Sequence, residues 1–127
     1  MDNFNFNSKF KNPPKARQIK QEDDFGHIEY KWTLCNLSSH KFEKLLTQLN
    51  FRLHQGNGEA VYNIGYMDNG EPKGLSYPEI LESLNALYLI CEKSGATLKS
   101  FRAFQGTNGY CANVYITKTP TKSYPIL

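Results

Sequence analysis

The segment Gly58-Glu59-Ala60-Val61-Tyr62-Asn63-Ile64-Gly65-Tyr66-Met67-Asp68-Asn69-Gly70-Glu71-Pro72-Lys73-Gly74-Leu75 decides how this chain folds. It joins a strand-like run, Glu59 to Tyr66, to a tight turn at Asp68-Asn69-Gly70. Gly65 and Gly70 have the spacing that opens a phosphate-binding loop. Yet Glu71 stands where such a loop needs Lys, and Pro72 where it needs Ser or Thr on the metal. A carboxylate there repels phosphate. The segment therefore reads as scaffold, a strand and a hairpin turn, with the short Lys73 to Leu75 stretch pairing back.

Working outward, His27 to Leu34 alternates, with Ile28, Tyr30, Trp32 and Leu34 on one face and Glu29, Lys31 and Thr33 on the other. Ser38 or Ser39 caps a helix running to about Gln55, because Phe42, Leu45, Leu46, Leu49 and Leu53 share a helical stripe. Gly56 stops it. Ser76-Tyr77-Pro78-Glu79 is a capping box that starts a second helix, which carries Ile80, Leu84, Leu87, Tyr88 and Cys91 and ends at Gly95. Thr97 to Phe104 and Tyr110 to Thr117 are two more strands, joined through a turn that contains Gly109. The β-α-β-β-α-β-β order predicts an α+β fold: two helices packed on one face of a mostly antiparallel four- to five-stranded sheet, in the split βαβ style. The opposite sheet face is a candidate binding surface. Glu29, Lys31 and Thr33, with Lys99 or Arg102 according to register, are the residues expected there.

A length of 127 residues suits one domain with its own core. Pro13-Pro14 and the acidic step Glu22-Asp23-Asp24 divide it into an extended basic arm (1–24), a single domain (25–118) and a C-terminal tail (119–127). The net charge is +3, and Lys9, Lys11, Lys15, Arg17 and Lys20 stand against Asp2 alone in residues 1–21, so the arm carries all of the positive excess. Such an arm can run along a polyphosphate surface or merely solubilise the chain. The sequence shows no membrane-length apolar run and no secretory signal, so an intracellular, cytoplasmic protein is expected. Cys35, Cys91 and Cys111 are odd in number and widely separated, which suits small core residues better than a disulfide framework.

Catalytic readings fail on spacing. His27, His40 and His54 lack the partners of a zinc site, and Ser38-Ser39-His40 lies at a helix start, where neighbours do not face one another. Glu79 has a capping role, Asp68 suits a turn, and Glu59 alone has no obvious local role. No enzyme activity, metal or cofactor is expected. Phe4, Phe6 and Phe10 differ from the other aromatics because they alternate with Asn and Lys in the arm. They suit stacking on RNA bases or anchoring the arm to its own domain.

Further residues carry a resemblance. They are Ile28-Glu29-Tyr30-Lys31, Phe42-Glu43, Gln48, Arg52-Leu53, Gly56, Gly58-Glu59-Ala60-Val61-Tyr62, Ile64-Gly65, Asp68-Asn69-Gly70, Gly74-Leu75, Ser83-Leu84, Leu87, Glu92-Lys93 and Gly95-Ala96. From Gly26 to about Ile116 the chain resembles the N-terminal domain of the elongation-factor-like GTPases called GTP-binding proteins one and two. In that family a GTPase domain with a phosphate loop follows; none follows here before Leu127, so no GTP hydrolysis is expected. A small module of this kind with a basic arm is similar to the microsporidian dormancy factors found on inactive ribosomes. The resemblance implies a monomeric, non-catalytic factor that binds the ribosome without nucleotide and occupies a transfer-RNA site, the exit site, to block translation. Lys9, Lys11, Lys15, Arg17 and Lys20 would then contact ribosomal RNA, with Phe4, Phe6, Phe10, Lys31, Arg102, Lys118 and Lys122 as additional ribosome contacts. The alternative is an interaction module for a GTPase or RNA-decay partner.

Overall fold

The computed structural model describes residues 7–119. A 3-10 turn at Asn7–Phe10 precedes strand β1 (Ile28–Lys31), helix α1 (Ser39–Gln55), strand β2 (Glu59–Ile64), helix α2 (Tyr77–Ser94) and strands β3 (Thr97–Gly106) and β4 (Gly109–Thr117). The sheet order is β1-β2-β4-β3. β1 and β2 are parallel, and β4 is antiparallel to both β2 and β3. β2 and β3 therefore run the same way with β4 inserted between them, the split βαβ arrangement. Two of the three pairings are antiparallel, as expected for this α+β fold.

The helix boundaries follow their caps. Ser38 accepts from the Lys41 N–H at the start of α1. Ser76 and Glu79 exchange capping hydrogen bonds at the start of α2, and Gly95 closes that helix in the left-handed conformation. Leu45, Leu49 and Leu53 of α1, with Ile80, Leu84, Leu87 and Ile90 of α2, meet Ala60, Tyr62, Ile64, Val114 and Ile116 of the sheet in one core. Cys91 and Cys111 are buried, and burial pushes both thiols up to about 12, which keeps them protonated and unreactive at neutral pH.

Three expectations change. The sheet has four strands, because Lys73 to Leu75 contributes a single bridge, Leu75 to Tyr110, rather than a fifth strand. Asp68-Asn69-Gly70 does turn the chain, with the Gly70 N–H on the Met67 carbonyl, but it closes a loop and no sheet hairpin. The third change is the orientation of β1. Its register sets Glu29 opposite Tyr62 and Lys31 opposite Ile64, on the helix-covered face, so Ile28 and Tyr30 occupy the other face with Asn63. The reversal has one cause: Glu29 is 5% exposed and receives the Arg52 Nε hydrogen at 2.8 Å from α1.

The arm lies on the domain. Pro14 and Ala16 exchange backbone hydrogen bonds with Gln105 on the β3 edge, Ile19 N–H donates to the Gly70 carbonyl, and Glu22 N–H donates to that of Asp68. Phe10 is 6% exposed and belongs to the core, with its ring 6.1 Å from Phe101 and 5.5 Å from Tyr110. At Gly70 φ is +91°, and a Cβ would sit 1.9 Å from the Ile19 carbonyl oxygen. The turn glycine of the opening segment is thus the seat of the arm as well as a turn.

Candidate nucleic-acid interface

On the sheet face away from the helices, a cleft of about 450 Å³ opens between the arm and the strands. Each wall has a sequence reason. Pro13-Pro14 keeps the arm extended, so that Lys15, Arg17, Ile19 and Lys20 pass over the sheet. Strand alternation brings Ile28 and Tyr30 of β1, Asn63 of β2, Arg102 and Phe104 of β3 and Asn113 of β4 to the same surface. Tyr66, just beyond β2, completes the lining.

Lys15, Arg17, Lys20 and Arg102 give the cleft four cations and its lining contains no carboxylate. None of the four makes an ion pair within 4.0 Å among the described residues. Lys15, Arg17, Lys20 and Arg102 are exposed, so they retain their hydration while their fields add over the cleft. The floor is polar. Asn63 and Asn113 are register partners, and Asn113 Nδ2 donates to Asn63 Oδ1 at 2.7 Å. Asn63 is 6% exposed. The Tyr30 hydroxyl donates to the Lys20 carbonyl at 2.6 Å, fixing the arm above the floor. Burial pushes the Tyr66 hydroxyl up to about 12, so it stays a neutral donor.

The other candidate residues are dispersed. Lys9 stands 5.8 Å over the Phe101 ring and Lys11 is exposed, both outside the cleft lining. Phe10 is a core anchor, the second of its two readings, which corrects its place among the surface contacts. Lys31 is likewise corrected: it is half-buried on the helix side, 3.9 Å from Glu29. Lys118 lies at the opposite end of the sheet, where its N–H donates to the Gly58 carbonyl and it lines a second cleft with Asn50, His54 and Asn57. Phe4, Phe6 and Lys122 lie outside the described residues. Among the described residues no group of three His, Cys, Asp or Glu side chains converges as a metal site, and no helix is long and apolar enough to cross a membrane. Glu59 is exposed at the start of β2, in register with Thr117.

At the foot of the arm a second cluster locks it to the domain. Arg52 donates to Glu29 Oε1 at 2.8 Å, to the Gly26 carbonyl at 2.9 Å and to the Asp23 carbonyl at 3.0 Å, and its Nη2 lies 3.7 Å from Glu22. Glu22 accepts from the Tyr30 N–H at 2.6 Å. Its carboxyl is pushed up to about 7, first by burial and then by the hydrogen bond it shares with Glu29. The sequence reading missed this cluster. Its signal was present: Arg52 occupies a position of the apolar stripe of α1, seven residues beyond Leu45, where only a paired cation is tolerated.

An α+β domain whose open sheet face carries a basic cleft is the class that these observations define. The chain is homologous to a region of GTP-binding protein 2. Mouse and human GTP-binding protein 2 each match 98 residues at 44% identity, covering 77% of this chain and 16% of those proteins. An uncharacterized protein of Acanthamoeba polyphaga mimivirus is 38% identical over 80 residues, 62% of this chain and 43% of its own. GTP-binding protein 1 of Xenopus laevis is 27% identical over 92 residues, 72% of this chain and 14% of its own. The chain thus spans a small part of the GTP-binding proteins' length. No protein-family model and no solved structure matches it.

Proposed function

We propose that the protein is a non-catalytic RNA-binding factor of the ribosome, one that occupies a transfer-RNA site, the exit site, and holds the ribosome idle. The observation that carries this reading is the cleft itself: four cations with no ion pair among the described residues, no carboxylate in the lining, and the Asn63–Asn113 amide pair on the sheet face away from the helices. Such a surface attracts phosphates and repels nothing that RNA presents. GTP binding, which the relatives' names state of them, has no seat in the matching segment. Glu71 and Pro72 replace the phosphate-loop residues, and the N–H groups that such a loop turns to phosphate are spent inside the fold, Gly65 on the Lys31 carbonyl and Gly70 on that of Met67. The mechanism is occupancy. The docked arm and sheet present a preformed charged surface, so little ordering entropy opposes binding.

Sucrose-gradient sedimentation of the protein with purified ribosomes tests this reading. The expected result is co-migration with vacant monosomes and exclusion by deacylated transfer RNA. Recovery in the top fractions at low salt would overturn it, and retention on polysomes would overturn the dormancy role. A protein-interaction role predicts binding that is insensitive to salt.

A further inference from the structure

We infer that the cleft seats one unpaired RNA nucleotide, with its base edge on the amides of Asn63 and Asn113 and its flanking phosphates on the surrounding cations. This rests on the RNA-binding reading above and adds a specific ligand to it. The argument starts from hydrogen-bond supply. Each amide offers two N–H donors and an accepting oxygen. The bond from Asn113 Nδ2 to Asn63 Oδ1 uses one donor and one acceptor, and neither Asn63 Nδ2 nor Asn113 Oδ1 has a hydrogen-bond partner among the described residues. Asn63 is 94% buried by its 6% exposure, so its remaining N–H groups cannot turn freely to bulk water.

A donor beside an acceptor, held at the floor of a basic cleft, selects among anions. Phosphate oxygens only accept, so a phosphate leaves the Asn113 oxygen unsatisfied. The Watson–Crick edge of every nucleobase carries a donor next to an acceptor. In duplex RNA those edges are engaged in pairing or sit in a groove that side chains cannot enter; in a loop or an extruded nucleotide they are free. Phe104 lies half-exposed on the same face, two residues along β3 from Arg102, and gives a base an aromatic surface to stack on. The volume of about 450 Å³ falls within the range of small-ligand sites. Lys15, Arg17 and Lys20 on one wall and Arg102 on the other then straddle the backbone of that nucleotide.

Fluorescence anisotropy on the full chain, with a labelled single-stranded RNA pentamer, a fully abasic ribose-phosphate pentamer and a duplex of the same sequence, reads this directly. The base-bearing strand is expected to bind about tenfold or more tighter than the abasic one and the duplex. In Asn113→Leu that preference should collapse to about twofold or less while the salt dependence persists, because phosphate contacts are independent of the floor. Thermal melting shows whether Asn113→Leu folds; if it does not, the base-against-abasic comparison on the unaltered protein decides alone. Equal affinity for base-bearing and abasic strands, with ribosome co-sedimentation intact, overturns the nucleotide site and leaves the ribosome reading standing. Binding of neither RNA, with tight binding of polyglutamate, overturns both.

Discussion

The two faces of the sheet are covered by different physics. On one, α1 and α2 bury a layer of Leu, Ile, Val and Tyr side chains together with the ion pair of Glu29 and Arg52. On the other, an extended arm is held by backbone hydrogen bonds to Gln105, Gly70 and Asp68, and four cations without an ion pair among the described residues surround the Asn63–Asn113 pair. The first face stores stability through burial; the second leaves its charge exposed. Substitutions on the helix side should therefore cost stability, and substitutions of the cleft cations should cost binding alone.

The largest effect on stability is expected at Arg52. Arg52→Ala removes the partner of a buried carboxylate and should cost about 3–5 kcal/mol in urea denaturation. Replacing both residues, as Arg52→Met with Glu29→Leu, should recover most of that loss. A cost below about 1 kcal/mol for the single change would break the claim that the pair orients β1.

Phe10→Ala comes next, at about 3 kcal/mol, because it empties a core site between Phe101 and Tyr110. Its signature should be spatial. Hydrogen exchange should rise at Ala16, Ile19 and Glu22, whose N–H groups hold the arm, and change little in α1.

Gly70→Val should cost about 2 kcal/mol, combining backbone strain at positive φ with the collision at Ile19. Deleting residues 1–21 should remove part of that penalty, and a double-mutant cycle reads the coupling. Strict additivity would contradict the docking of the arm on Gly70.

The smallest effect concerns Glu22. Its carboxyl has an ordinary value of 4.5 and is raised to about 7, so the folded state binds a proton more tightly than the unfolded chain. Its contribution is fully present below about 4.5 and is lost as pH rises through about 7. The melting temperature of the unaltered protein should fall relative to Glu22→Gln between pH 5 and pH 8. A constant difference across that range would show that Glu22 titrates normally.

Local chemistry made much of the fold legible in the sequence. Ser38, the Ser76-Glu79 capping box and Gly95 marked helix ends that the structure reproduces, since a cap is a bond between near neighbours. The direction of β1 was not legible from alternation alone. Tyr30 and Glu29 compete for the buried face, and the winner depends on Arg52, which lies 23 residues away. The arm's anchoring through Phe10 was one of two readings open in the sequence, but the course of its backbone was hidden, because backbone hydrogen bonds leave little trace in side-chain pattern. Of the cleft, the arm cations and Arg102 were visible as charges. The Asn63 and Asn113 pair was not, because it exists only through the β2 and β4 register.

The most direct test is a salt titration of ribosome binding, comparing the unaltered protein with a variant combining Lys15→Gln, Arg17→Gln, Lys20→Gln and Arg102→Gln. The unaltered protein should lose affinity with a log–log slope of about −3 to −4, as expected for four neutralised phosphates. The variant should bind far more weakly, with a slope near zero and an unchanged melting temperature. Equal affinity and equal slope in the two proteins would contradict the assignment of the cleft as the RNA-binding surface.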